Sequence, residues 1–399
     1  MRKQLLLLSG ILLILTSNLF AQTEVDERAM IDFRQGLGFN APDSTFGINI
    51  RMRMQNRMAF NFDDELNLDD IEARVSRLRL RFDGYILSRK LSYYVQLSFS
   101  RGDQDWENTH VPNIVRDAMV YYHFNPKFYL GFGQGKLPSN RQRITSSGQQ
   151  QFYDRSNVNS NFTLDRDFGL FAYYSDKVGG LNYNIKAAVS TGDGRNQLKT
   201  DNGLAYTARA ELLPFGKFKK NGDFSEGDLE FETTPKISLA AGYSINQKAR
   251  RTRGTVGTDL NESRDLSALF ADVLFKYRGW ALSSEYINRS VDGSAFTYNS
   301  ADSSQMANVV TGHGINTQLS YCFRNYWEVA ARYSIVEPDV EIESIARQDS
   351  YYILGVNKYV KKHLTKFQGF VGYRTQHSIV PGISAINKYL LVFQVELGI

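Results

Sequence analysis

From Thr45 to the C-terminus, apolar and polar residues change sides at every second position. In TFGINIRMRMQNRMAF (45–60), Phe46, Ile48, Ile50, Met52 and Met54 fall on one side, with Asn49, Arg51, Arg53, Gln55 and Arg57 on the other. Side chains alternate across an extended strand, so the pattern predicts a strand with one apolar and one polar face. SRLRLRFDGYI sets Leu78, Leu80 and Phe82 against Arg77, Arg79, Arg81 and Asp83. LSYYVQLSFS, GLNYNIKAAVS, PKISLAAGYSIN, GINTQLSYCF, NYWEVAARYSI and KYLLVFQVELGI repeat the rhythm. Roughly sixteen strands fit between Thr45 and Ile399, with soft boundaries around 114–124 and 266–277.

The connections alternate in length. Short ones fall at 86–90, 125–127, 175–179, 277–280, 324–327 and 359–363. Long polar ones lie between them, at 61–71, 101–113, 137–166, 191–203, 246–265, 288–311, 337–350 and 375–387. Short turns at one end and long loops at the other describe an all-β, transmembrane antiparallel barrel of an outer membrane. The segment 213–235 breaks the rule, being long on the short-turn side, and is expected to project into the periplasm. Trp280, Trp327, Tyr277 and Tyr326 gather at short turns, where an aromatic girdle belongs. A secreted β-sandwich also alternates, but so many polar strand faces need a very large wet surface, which a water-filled lumen supplies. The 23 Tyr, 26 Phe and 31 Gly, against 8 Pro, suit strands and turns.

The N-terminus, MRKQLLLLSGILLILTSNLFAQ, has a basic start and an apolar run too short to span a membrane, which predicts a cleaved signal peptide over 1–21. Residues 22–44 then form a short periplasmic segment, too little for a plug domain, and 45–399 form the barrel. Removing Arg2 and Lys3 with the leader takes 47 basic residues to 45 against 42 acidic, a net charge of +3. That balance does not indicate a nucleic-acid binder. A single cysteine, Cys322, excludes an internal disulfide framework and reads as an incidental small residue on a polar strand face.

The polar faces carry the candidate chemistry. Arg51, Arg53, Arg57, Arg77, Arg79 and Arg81 fall on the lumen side of two neighbouring strands. Permanently charged, forked donors in such density repel one another unless acids or anions lie between them, so they predict a basic wall that concentrates anions. Asp83, Asp117, Glu211, Glu285 and Glu328 also fall on or near polar faces and could form an opposing acidic wall that weakens selectivity. Catalysis has little support: none of His110, His123, His313, His363 and His377 forms an HxxxH or HExxH pair, and there is no GxSxG or P-loop. A barrel lipase using His123 with a serine of a neighbouring strand, and a closed barrel displaying its loops as an adhesin, are the alternative classes. No cofactor is expected. Asp63, Asp64, Asp69 and Asp70 read as a solvated acidic loop rather than a metal site.

Four stretches together resemble the phosphate-selective porin O and P family of Gram-negative outer membranes: ARVSRLRLRFDGYI (73–86), GQGKLP with QFYDRS and DRDFG (133–169), LLPFGKF (212–218) and WEVAARYSI (327–335). The resemblance implies a sixteen-stranded, homotrimeric channel in outer-membrane lipid for passive diffusion of small hydrophilic or anionic solutes, with phosphate as a candidate. It also implies that 137–166 is a third extracellular loop folded inward to narrow the pore. Within it, Lys136, Arg141 and Arg143 have no adjacent acid and are expected to face the channel. Arg155 beside Asp154, and Arg166 between Asp165 and Asp167, are expected to brace the loop through these neighbouring pairs.

Overall fold

The computed structural model describes residues 30–32, 36–103, 113–197, 203–299 and 304–399; the expected signal peptide lies outside the described residues. Among the described residues, eighteen strands join one sheet. Two of them, Met30–Asp32 and Leu37–Asn40, form an N-terminal hairpin. The other sixteen make the barrel: β1 Phe46–Phe62, β2 Leu68–Ile86, β3 Ser88–Ser98, β4 Val115–His123, β5 Phe128–Lys136, β6 Arg166–Val178, β7 Leu181–Ser190, β8 Ala205–Leu213, β9 Lys236–Arg251, β10 Asp259–Tyr277, β11 Trp280–Val291, β12 Gly312–Cys322, β13 Trp327–Pro338, β14 Gln348–Tyr359, β15 Thr365–His377 and β16 Ile386–Gly398. Each is antiparallel to the next, and β16 closes on β1 from Tyr389↔Phe62 to Gly398↔Arg53. Below that point Leu37–Asn40 takes over the edge of β1, pairing with Gly47 to Ile50, so backbone groups left open where β16 ends find partners.

The molecule is apolar outside and polar inside. Met52, Phe132, Leu354 and Phe393 stand 45 to 59% exposed on the outer face. Inward positions of the same sheet bury Gln55, Arg209, Asn357 and Glu396. Exposed apolar side chains in this number are stable only against lipid. Trp280 and Trp327 stand exposed at the short turns, as a girdle requires. Tyr326 does not join them, because its ring packs on Phe231 at 5.8 Å. Two loops are shorter than the alternation suggested. β1 and β2 run on until only 63–67 remain between them, and β9 and β10 leave only 252–258.

Two segments fill one side of the lumen. Loop 137–165, between β5 and β6, is pinned by apolar side chains at irregular spacing. Leu137, Val158, Phe162 and Leu164 pack against Phe270, Ile287 and Val336, while Phe152 packs against Ala330, Ile353 and Phe370. The segment 214–235 does not project into the periplasm as expected; it turns back into the barrel. Leu229 packs on Cys322 and Tyr359, Phe218 packs on Leu274, and Asp228 and Glu232 are buried. Its backbone meets the loop directly, Glu226 N donating to Gln149 O at 2.8 Å. Phe370, which stacks on Phe152 at 5.5 Å, occupies the space above Gly355, where a Cβ would lie 1.9 Å from its ring. Gly355→Ala is therefore expected to cost about 1–3 kcal/mol by displacing Phe370, measured as a lower unfolding temperature in detergent.

Candidate functional site

The cross-strand register of β1 and β2 sets like charges face to face: Arg51 opposite Arg81, Arg53 opposite Arg79, and Arg57 opposite Arg74. Such a ladder persists only if each charge finds a counter-ion or water. Arg81 pairs with Asp83 at 2.8 Å, and Arg51 shares that carboxylate at 3.6 Å. Arg57 takes Glu72 at 2.8 Å. Arg77 takes Asp154 of the loop at 2.8 Å, and Arg79 grips Asp103 with two bonds of 2.7 Å. Arg116 also reaches Asp103, at 2.8 Å.

Beside this wall the lumen forms two chambers. The outer one, of about 1210 Å³, is lined by Arg57, Arg74, Arg77, Arg101, Arg143, Arg195 and Arg374, together with Asp103, Asp154 and Asp165. The inner one, of about 770 Å³, opens toward the short turns past Tyr85 and Arg89 and is lined by Arg81, Lys136, Arg166, Asp117 and several tyrosines. The residues common to both linings are Arg79, Arg116 and Arg155. The narrowing between the chambers is thus framed by three guanidiniums, two on the barrel wall and one on the loop.

The acids of the opposite wall are engaged elsewhere. Asp272 receives Arg141 at 2.8 Å and Arg209 at 2.7 Å. Glu285 accepts from Gln142 N and Asn140 Nδ2 at 3.1 and 3.2 Å. Glu328 accepts from Tyr359 and Asn357 at 2.6 and 2.8 Å, and Glu396 from Gln55 at 2.7 Å. Asp272 and Glu285 hold the loop to the wall, Glu328 and Glu396 join strands of the wall, and the two chambers lie beside the arginines.

The family model of the phosphate-selective porin O and P group matches residues 48–379. The chain belongs to that family. This porin is an outer-membrane channel of the Gram-negative type. Solved barrels of similar fold include the anion-selective porin from Comamonas acidovorans, at 12% identity and a TM-score of 0.54 over 88% of this chain and 99% of that one. The outer-membrane channel DcaP of Acinetobacter baumannii aligns at 10% identity and 0.53, over 92% and 100%. In-vitro-folded OmpT of Vibrio cholerae, in a trimer form, aligns at 12% and 0.53, over 88% and 98%. No curated protein matches the sequence.

The porin redistributes the residues singled out by its sequence. Arg79 frames the constriction, Arg81 lines the inner chamber, and Arg57 and Arg77 line the outer one. Arg53 is turned to the loop instead, donating to Ser147 Oγ at 2.6 Å. Lys136 lines the inner chamber while donating to Ile144 O and Thr145 O, both at 3.2 Å. Arg141, expected to face the channel, is buried behind the loop, because Asp272 offers a carboxylate there. Arg143 lines the outer chamber and is ion-paired with Asp165. Arg155 does not take Asp154 as its side-chain partner; it donates to Gln142 O at 2.7 Å and Thr145 O at 3.0 Å. Asp154 turns to Arg77 and Arg57. Arg166 braces through Asp165 at 2.8 Å and through Asp117 at 2.8 and 3.0 Å. Asp167 is not its partner, because the amides of Gly192 and Gly194, at 2.5 and 3.1 Å, draw that carboxylate to the next loop.

Arg116, Arg74 and Arg195 were missed. On β4 a bulge leaves Arg116 as an extra residue between Leu97↔Val115 and Gln96↔Asp117, so Arg116 and Asp117 both face inward. On β2 the extra residue is Ser76, which brings Arg74 and Arg77 to one side although they are three apart. An adjacent charged pair such as Arg116-Asp117 within an alternating strand is the signal that could have revealed the first bulge.

His123 does meet a serine, Ser92 Oγ at 2.9 Å from Nε2, facing the inner chamber. The ring stacks on Tyr129 at 4.9 Å, and among the described residues no carboxylate orients it, so the pair lacks the third member that activates such a serine. Among the described residues no group of three or more metal-binding side chains is assembled; Asp63 closes its own loop by accepting from the amides of Glu65 and Asn67.

The loop acids resist acid. Burial raises the pKa of Asp165, but Arg143 and Arg166 outweigh it and hold the carboxyl well below its ordinary 3.8. Burial likewise opposes ionisation of Asp103, where Arg79 and Arg116 prevail. A depressed carboxylate contributes stability that is complete above the unfolded pKa and lost only as pH falls through the lower folded value. Conductance and selectivity are therefore expected to hold from pH 7 to pH ~4 and to fail only at more acidic pH, measured by bilayer recordings across that range.

Proposed function

We propose that this porin is a passive diffusion channel with a preference for small hydrophilic anions, phosphate among them, and that it works as a homotrimer exported by a cleaved signal peptide. The observation that carries the reading is the constriction, where the residues shared by the two chambers are all arginines. Cations where the two chambers meet favour anion entry and oppose cation entry. Asp103 offsets part of the charge of Arg79 and Arg116, while the acids of the opposite wall are spent on holding loop 137–165. At Arg155, burial first and then the neighbouring Arg143 and Arg77 push the pKa well below its usual value, and an anion beside it would offset that shift. The homotrimer is supported by the trimer form of OmpT on the same fold.

The test is the reversal potential of purified protein in a planar bilayer under a salt gradient, followed by addition of phosphate. A clear anion preference with partial block by phosphate is expected. A reversal potential near zero with steady conductance would establish a general porin, and no conductance would reinstate a closed barrel.

A further inference from the structure

The two chambers share one set of cations but differ in their other walls. In the outer chamber the aromatic pair Tyr153 and Tyr351 is satisfied internally, hydroxyl to hydroxyl at 2.7 Å. The inner chamber has a tyrosine wall built on β3, β4 and β6 and backed by a tyrosine of β5. Tyr94, Tyr121 and Tyr173 line it, and Tyr129 stacks on Tyr173 at 4.5 Å and 11°. Tyr121 meets both edge-on, at 6.0 and 6.2 Å. It lies against Gly131, where a Cβ would come within 2.8 Å of its ring, so the missing side chain is what lets the ring settle against the strand. Arg81 sits over the Tyr94 ring at 4.5 Å. Among the described residues the hydroxyls of Tyr121, Tyr129 and Tyr173 have no hydrogen-bond partner, although the rings are partly buried.

We infer that the inner chamber binds organic anions that carry a flat ring, the phosphate or carboxylate resting on the constriction arginines and the ring on the tyrosine wall. An inorganic anion needs only the guanidiniums, and the outer chamber supplies those beside a single tyrosine pair whose hydroxyls already satisfy each other. A stack of partly buried tyrosines with unused hydroxyls, beside the same cations, adds what an aryl ester can use: ring contact and peripheral hydrogen bonds. The volume of about 770 Å³ suits a small organic solute. This inference rests on the anion-preferring reading and narrows it to a solute class.

The experiment compares inorganic, methyl and phenyl phosphate, each added on the short-turn side of the full-length protein in a planar bilayer, by the concentration that halves the current. Phenyl phosphate is expected to block at a concentration about tenfold lower than methyl phosphate, and Tyr173→Leu to bring that ratio near one. The wild-type comparison stands even if the variant does not assemble. Equal potency of the two esters, with anion preference intact, overturns the inference and leaves the anion reading standing. Phenyl selectivity that appears only from the long-loop side, or that survives in both Tyr173→Leu and Tyr121→Leu, overturns it as well. Absence of block by every phosphate together with a reversal potential near zero removes the anion reading and the inference with it.

Discussion

Arg155→Gln is expected to lower the chloride-over-potassium permeability ratio by about tenfold in dilute salt, with the channel still open. A unit charge about 6 Å from a passing ion in water is worth roughly 0.7 kcal/mol. It favours an anion and opposes a cation by the same amount, so its loss shifts the ratio by about 1.4 kcal/mol, a factor of about ten. Arg155 is the member of the constriction that isolates this effect. Its guanidinium is bonded to the carbonyls of Gln142 and Thr145, so removing its charge strands no carboxylate. Arg79 and Arg116 both hold Asp103, and removing either leaves that buried acid short of a partner. Arg77→Gln with Arg79→Gln should cut the anion preference further, since Asp154 and Asp103 then face the pore less fully compensated. The measurement is the reversal potential at low ionic strength, where screening is weakest. A ratio unchanged by Arg155→Gln would show that the current bypasses the narrowing.

The barrel was legible in the sequence because its information is one-dimensional. A period of two, short turns at one end and long loops at the other fix strand number and facing without any knowledge of partners. The approximate places were β1 and β2, β9 and β10, whose ladders extend past the apolar band into residues that are polar on both faces. Alternation also fails locally at a bulge, and there it concealed Arg116, one of the three residues that frame the pore. Nothing in the run VRDAMVYYH distinguishes a shifted strand from a soft strand boundary except the adjacent charges.

The lumen was less legible, for a physical reason. In a water-soluble domain a polar segment lies outside, and 214–235, with its lysines and acids, reads as exposed. In this barrel the interior is polar, so Asp228 and Glu232 are buried there while accepting backbone amides, Asp228 from Gly279 and Glu232 from Lys219. The charged positions of loop 137–165 were visible, but their partners were not. Asp272 and Asp117 lie far from Arg141 and Arg166 along the chain, so adjacency favoured Asp154 for Arg155, and Asp165 and Asp167 for Arg166, of which Asp165 alone is its partner. Proximity in sequence is a weak guide where a loop crosses a barrel and meets distant strands.

Arg141→Ala is expected to raise single-channel conductance and current noise, weaken anion preference and destabilise the folded protein by about 3 kcal/mol. One buried side chain joins three parts of the molecule: Nε bonds Asp272 of β10 at 2.8 Å, one terminal nitrogen bonds Ser238 of β9, and the other bonds the carbonyl of Asp223 in the inward turn, each at 2.8 Å. Without it the loop and the turn lose their shared anchor. Asp272 keeps Arg209, so the barrel wall itself remains paired and the strands still close. The loss falls on the elements that fill the lumen. Once they loosen, Glu285 and Asp272 gain access to water in the pore and begin to cancel the arginine field. Wider conduction and poorer selectivity should therefore appear together. Removing Lys388, whose ion pair with Asp69 is half-exposed at the rim, should change neither. Recordings of both variants, with unfolding followed in detergent, decide the matter. A destabilised Arg141→Ala porin with unaltered conductance would show that loop 137–165 is held by its apolar pins, Phe152, Val158 and Phe162, and not by this junction.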